Sequence, residues 1–394
     1  MDNLFAILFV LLQIIIGINL FLPLLLFIFW WFFAKRSYKL APITHQKDFA
    51  VVVTAYQQTD LIPEVVKSLL GTDYENYHIY IVADNCDKSE NLNFNHPNVS
   101  VLYPEQVIAS NTGSHFYAIN HFIRKHEALM IIDSDNIVDK NILIEINNYF
   151  NEGFEAVQGV RAPKNLDTVI ARLDAARDIY YHFFDGKVLF QLGSSATLAG
   201  SGMAFTVDLY KKCLENTNIK GAGFDKVLQY LILHHQKRIA YCETAIVYDQ
   251  KTSHSEQLVN QRSRWINTWF RYFKFGFKLI SQGIQNLNLN QLLFGVILLR
   301  PPLFLLLLLS GLFFLIQIYL FSILGTSIWI MGFLSFIISF ILALKVSHTD
   351  KRIYKALYSI PVFIYYQIIS LINAKNANQR SVATKHQVVK KLEL

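Results

Sequence analysis

The chain has 394 residues, 53% of them hydrophobic and only 16% charged. Soluble globular domains carry about 25% charged residues, so the composition argues against a purely soluble enzyme and excludes a disordered or collagen-like chain. The formal charge of +7 is uneven: from Asn260 onward there are 15 Lys and Arg against two acids, Asp350 and Glu393, which leaves 21 bases and 27 acids in the first 259 residues. A basic excess confined to an apolar region reads as a membrane surface, not a nucleic-acid groove. Cys86, Cys213 and Cys242 are scattered and odd in number, which suggests neither a disulfide framework nor a zinc site and fits a reducing compartment.

Leu4 to Phe33 carries no charge. About 20 apolar residues span a bilayer, so this stretch predicts one transmembrane helix. No basic residue precedes it and no small-residue cleavage site follows, so it reads as a retained span and not a signal peptide. Trp30 and Trp31 mark an interface, and Lys35, Arg36 and Lys39 place that end in the cytoplasm. From about Gln46 to His254 the composition becomes ordinary. Strand-like runs at Phe49–Thr54, His78–Ala83, Val99–Tyr103 and Ala128–Ile132 alternate with helical stretches at Leu61–Leu70 and Ser114–His126. That alternation predicts a mostly parallel α/β sheet in one domain.

Val259 to Ile280 predicts a single amphipathic helix. Arg264, Asn267, Arg271, Lys274 and Lys278 recur at helical spacing opposite Trp265, Ile266, Trp269, Phe270, Phe273 and Phe277, the pattern of a helix lying in the membrane interface. Pro301-Pro302 separates a lead-in helix at Gln291–Leu299 from a span at Leu303–Ile323. A turn at Gly325-Thr326-Ser327 leads to a second span at Ile328–Leu344. Tyr354–Ile372 is long enough to cross, but Lys355, Ser359, Gln367 and Ser370 form a polar stripe that suits an interfacial or pore-lining helix. The basic tail favours the cytoplasm. The resulting divisions are 1–40, 41–257, 258–300, 301–374 and 375–394: anchor, catalytic domain, interfacial helices, membrane helices and tail.

Ligands of open α/β sheets bind beyond the carboxyl ends of the strands. Asp84 ends one strand run, and Asp133-Ser134-Asp135 ends another. Two carboxylates one residue apart can hold a hard divalent cation, Mg2+ or Mn2+, which in turn binds a diphosphate; turn-forming, helix-capping aspartates are the plainer alternative. Gln261, Arg264 and Trp265 share one side of a helix, where the Arg can neutralise a phosphate and the Trp can stack on a sugar. Asp225 precedes a helical run, as a cap or as a general base.

In this order, Asp84, Asp133-Ser134-Asp135, Asp225 and Gln261-Arg262-Ser263-Arg264-Trp265, flanked by apolar helices, resemble the membrane-embedded family 2 glycosyltransferases. That group holds the cellulose, hyaluronan, chitin and poly-N-acetylglucosamine synthases and their non-processive relatives. The resemblance covers about Phe49 to Arg271 and implies a GT-A (Rossmann-like) cytoplasmic domain with transmembrane helices on both sides of it in sequence. It implies that Tyr56, Asp84, Asp133, Asp135, Gln261, Arg264 and Trp265 bind the nucleotide donor, and that Asp133 and Asp135 hold the metal. Asp225 would be the catalytic base. Gly200, Ser201 and Gly202, with Trp265, would meet the acceptor, and Ser381–His386 resembles the tail motif that covers the occupied site. Gly223-Phe224-Asp225 replaces the usual Thr-Glu-Asp, Thr54-Ala55-Tyr56-Gln57-Gln58 replaces Pro-x-Tyr-Asn-Glu, and the tail lacks an aromatic before its Thr.

The implied reaction is a single inverting displacement from a nucleotide-sugar, UDP-linked by family habit. The leading expectation is a multi-pass inner-membrane hexosyltransferase that extends a polysaccharide, with export and accessory subunits coupled to it. The alternatives are glycosylation of a membrane lipid and a catalytically degraded relative.

Overall fold

The computed structural model describes residues 2–34, 45–88, 92–217, 219 and 221–379. Lys35, Arg36 and Lys39 and the Ser381–His386 motif lie outside the described residues.

Eight strands form one mixed sheet: β1 Phe49–Tyr56, β2 Tyr77–Asp84, β3 Val99–Leu102, β4 Ala128–Asp133, β5 Ile137–Val138, β6 Ala156–Pro163, β7 Met203–Thr206 and β8 Ile239–Asp249. Their order is β3-β2-β1-β4-β7-β6-β8-β5. The first four in that order are parallel, β7 is antiparallel to both its neighbours, and β6 and β8 are again parallel. β1 and β2 are almost wholly buried, because the runs Phe49–Val53 and Ile79–Ala83 are apolar at consecutive positions, the signature of a strand covered on both faces. Helix Asn111–Asn120 packs on β1 and β2, and Ile142–Asn151 on β6 and β8. The first of these starts and stops earlier than the sequence predicts, because Ser110 accepts the Gly113 N–H as its N-cap and the chain leaves the helix at His121.

The apolar helices assemble beside this domain. Leu4–Ala34, Ile323–Val346 and Lys351–Lys375 are long and apolar enough to cross a membrane, and Leu289–Leu299 with Leu303–Tyr319 form a pair bent by 69° at Pro301-Pro302. The turn between the two spans lies at Leu320–Ser322, not at Gly325-Thr326-Ser327. Phe321 takes the left-handed conformation and Ser322 caps the next helix through the Gly325 N–H. Gly325 is then inside the helix, where a Cβ would meet Gln317. Gln13 joins three of these helices, accepting from Gln317 Nε2 at 2.7 Å and from Trp329 Nε1 at 3.2 Å.

The single amphipathic helix expected over Val259–Ile280 is two, Ser255–Tyr272 and Phe275–Gln285. The first does not segregate bases from apolar residues. It buries Arg262, Ser263, Ile266 and Thr268 while Trp265 and Phe270 are exposed, because it is held against the last apolar helix and not on an open surface. Ser263 donates to the Ser370 carbonyl at 2.9 Å, and Asn267 to the Ala374 carbonyl at 2.9 Å.

Candidate active site

Register alone gathers the acidic strand ends. Tyr56 lies opposite Asp84, and Thr54 opposite Asp133, so three neighbouring parallel strands deliver Tyr56, Asp84 and Asp133 to one edge. Their side chains then diverge in role. Asp84 is buried and accepts the N–H of Ile108 at 2.9 Å and of Ala109 at 2.7 Å. It stands apart from the lining of the cavity described below and orders the loop that leads into helix Asn111–Asn120. Tyr56, Asp133 and Asp135 do line that cavity.

Of the acceptor loop, only Gly200 reaches the cavity. Ser201 is fully buried and its hydroxyl accepts the Asp133 N–H at 3.1 Å. A Cβ on Gly202 would stand 2.8 Å from Val247. Ser201 and Gly202 therefore hold the loop against β4 and β8 instead of facing the space an acceptor would enter. Asp225 opens helix Phe224–His234 behind the left-handed Gly223 and faces the cavity, with Lys226 Nζ 3.4 Å from its carboxylate. A Cβ on Gly223 would come within 2.5 Å of Thr268, so this turn rests directly on the helix that carries Gln261, Arg264 and Trp265. Those three residues also line the cavity.

The floor is an ion network. Arg161 of β6 pairs with Asp249 of β8 at 2.8 Å and donates to the Ala199 carbonyl at 2.5 Å. Lys251 bridges Asp249 at 2.8 Å and Asp178 at 2.5 Å. Asp178 also pairs with Arg177, and Asp174 one turn earlier pairs with Arg262. Burial disfavours ionised Asp249, but Arg161 and Lys251 outweigh it and hold the carboxyl at about 2. Asp135 behaves in the opposite way: burial first, then the Asp249 charge, raise it to about 6 against the pull of Arg161. Asn136 Nδ2 donates to both Asp135 at 3.0 Å and Asp249 at 3.4 Å.

This geometry fits a divalent cation on the chemistry of its donors. Asp133 and Asp135 offer hard oxygens at the cavity wall, and a cation would relieve the disfavoured charge on half-buried Asp135. Among the described residues no group of three acidic, His or Cys side chains converges as a ligand set, so the remaining positions of a six-coordinate ion would fall to diphosphate and water oxygens.

The cavity has a volume of about 1020 Å³ and does not stop at the polar site. Past Trp265 and Trp269 its walls become Phe304, Leu307, Phe336, Phe340, Ile360 and Phe363, contributed by three of the apolar helices. Of the polar stripe, Gln367 lines it, whereas Lys355, Ser359 and Ser370 do not.

Sequence reasoning passed over Arg161, Arg177, Asp178, Lys251 and, as a residue in its own right, Arg262. The one signal was in helix Val169–Tyr181, whose Asp174, Arg177 and Asp178 sit at helical spacing beside Ala175 and Ala176. Their partners outside that helix are Lys251, just past β8, and Arg262 of the Ser255–Tyr272 helix, which only folding brings near.

Among solved structures, the mannosyltransferase PcManGT from Pyrobaculum calidifontis, in complex with GDP-Man and Mn2+, superposes with a TM-score of 0.58 at 14% identity, over 91% of this chain and 97% of that one. That likeness is one of fold. S. aureus TarS 1–349 matches at a TM-score of 0.41 and 14% identity, over 87% of this chain and 94% of that one. No curated protein matches the sequence. The family model described as "Glycosyltransferase like family 2" matches residues 45–268, more than half of the chain and the whole of the sheet with the Gln261–Trp265 segment. With a GT-A-like sheet, strand-end aspartates and that segment in one cavity, the chain belongs to the family 2 glycosyltransferases.

Proposed function

We infer that the protein transfers a sugar from a nucleotide-sugar to an acceptor anchored in the bilayer by an apolar tail. The observation that carries this reading is the continuity of the cavity from Tyr56, Asp133 and Asp135 to the apolar cleft between the membrane helices. A water-soluble acceptor would gain nothing from a cleft of Phe and Ile side chains. A lipid tail gains about 25 cal/mol for each Å² it buries.

The reading departs from the polysaccharide export that the sequence alone favours. A pore would use the polar stripe, yet Ser370 spends its hydroxyl on the Tyr366 carbonyl and its own carbonyl on Ser263. Basic residues at Lys345, Lys351, Arg352 and Lys355 favour a cytoplasmic catalytic domain.

In this scheme the donor lies across the strand ends near Tyr56. Asp133 and Asp135 would hold Mg2+ or Mn2+, which supplies charge neutralisation for the leaving diphosphate. Arg264 adds a fixed positive charge on the same cavity wall. Asp225 accepts the proton of the attacking hydroxyl, and Gly200 and Trp265 bound the space where that hydroxyl sits. The test is incubation of the protein in native membranes with a panel of radiolabelled UDP- and GDP-sugars. Label extracted into organic solvent and identified by mass spectrometry as a glycosylated lipid is expected. Label confined to a water-soluble polymer would overturn the reading.

A further inference from the structure

Arg262 is 2% exposed, yet it lines the cavity. One guanidinium nitrogen, Nη2, pairs with Asp174, while Nε and Nη1 have no hydrogen-bond partner among the described residues. Nε of Arg177, on the facing helix, likewise has no hydrogen bond, although the Asp174 carboxylate stands 3.8 Å from it as an ion pair. Buried donors left unpaired are costly, more so on a charged group. The ion pairs of the surrounding cluster leave those atoms without a hydrogen bond: among the described residues, Arg161, Arg177, Lys251 and Arg262 form ion pairs with Asp174, Asp178 and Asp249. Burial, then the Arg177 charge, lower the Arg262 guanidinium to about 10 in spite of Asp174.

Position and orientation are set as well. The ring of Trp265 carries the Arg262 guanidinium 3.9 Å and the Arg177 guanidinium 4.5 Å from its centroid, which fixes the planes of both cations. The residues around Arg262 in the helix face the membrane side: Ser263 bonds the Ser370 carbonyl, and Ile266 packs with Phe304 at the mouth of the apolar cleft. Two oriented guanidinium groups with spare donors match the oxygens of a phosphoryl group.

Resting on the lipid-acceptor reading, we propose that Arg262 and Arg177 seat an anionic phosphoryl group that lies between the acceptor's apolar tail and its reacting hydroxyl. The group is an anchor and keeps all its bonds. The hydroxyl oxygen forms the new bond to the anomeric carbon, the bond from that carbon to the donor's diphosphate breaks with its electron pair leaving on the nucleoside diphosphate, and the hydroxyl proton passes to Asp225.

The test uses the full chain in phosphatidylcholine nanodiscs, with farnesyl phosphate and farnesol as probes of identical tail and with UDP and GDP as the competing phosphate source. Farnesyl phosphate is expected to bind about tenfold more tightly than farnesol, in line with charge-assisted hydrogen bonds. Arg262→Gln should bring it down to the farnesol value and leave UDP and GDP binding unchanged. Because Arg262→Gln leaves Asp174 with Arg177 alone as a partner, Asp174→Asn/Arg262→Gln is measured beside it, and the wild-type comparison needs no variant. Equal binding of the two prenyl probes overturns the seat while the lipid-acceptor reading stands. A variant that loses UDP or GDP but keeps farnesyl phosphate moves Arg262 to the donor and also overturns the seat. Failure of both prenyl probes to bind overturns the lipid-acceptor reading itself.

Discussion

Asp225 separates two roles that one carboxylate can play at the start of a helix. A cap is stabilised by the helix dipole, and Asn caps about as well as Asp. A general base contributes about 10²–10⁴-fold in rate and has no substitute in Asn. Asp225→Asn is therefore expected to keep the thermal midpoint and nucleotide affinity and to lose turnover by that factor. Retention of most of the turnover would reject Asp225 as the base and turn attention to Asp249. Asp135 answers to a different measurement. Asp135→Asn removes one of the two carboxylates that would hold the cation, so nucleotide binding followed by calorimetry in Mn2+ should weaken. If wild-type protein binds the nucleotide equally well in chelator and in Mn2+, the strand-end cation site is wrong.

Between elements, small residues decide how closely parts meet. Gly223 has φ +101 and would place a Cβ 2.5 Å from Thr268 and 2.8 Å from Tyr272. Gly223→Ala adds left-handed strain to overpacking, each worth about 1–3 kcal/mol. It should lower the thermal midpoint and also activity, because the same turn aims Asp225; an unchanged midpoint would show that this loop does not rest on the helix. In the membrane part, Gln13 accepts from both Gln317 and Trp329. Interhelical hydrogen bonds among membrane helices are worth about 0.6–1.7 kcal/mol, so Gln13→Leu should lower the midpoint in detergent by a few degrees without changing nucleotide binding. The runs Phe49–Val53 and Ile79–Ala83 were legible as buried strands because a doubly covered strand needs no alternation. The break after Tyr272 was not, because the residues on both sides of it keep the helical rhythm, and the helix before it is held by residues 107 positions later in the chain.

For the whole molecule, the charge asymmetry and the cavity make one statement about topology. The catalytic domain and the loop at Lys351 should share the cytoplasmic side. Cys213 and Cys242 are buried and Cys86 is half-buried, so Cys86→Ser is a quiet background for labelling. Lys351→Cys in that background should react with a membrane-impermeant maleimide only after permeabilisation; labelling in intact cells would invert the topology.

The sequence by itself determined the reaction family, the sheet and the apolar helices. Each of these rests on local periodicity, or on ordered motifs that survive large changes elsewhere: Asp133-Ser134-Asp135, Asp225, and Gln261 with Arg264 and Trp265. Most of the site residues it named line the cavity. Only the tertiary structure decided that Asp84, Ser201 and Gly202 serve the backbone, that Arg262 faces inward with donors to spare, and that the cavity opens among the apolar helices. Those outcomes depend on contacts between residues far apart in the chain, such as Asp84 with Ile108, 24 positions away, and Ser263 with Ser370, 107 positions away. A one-dimensional pattern records which side chains a helix carries, but the direction each one faces is set by what the fold packs against it.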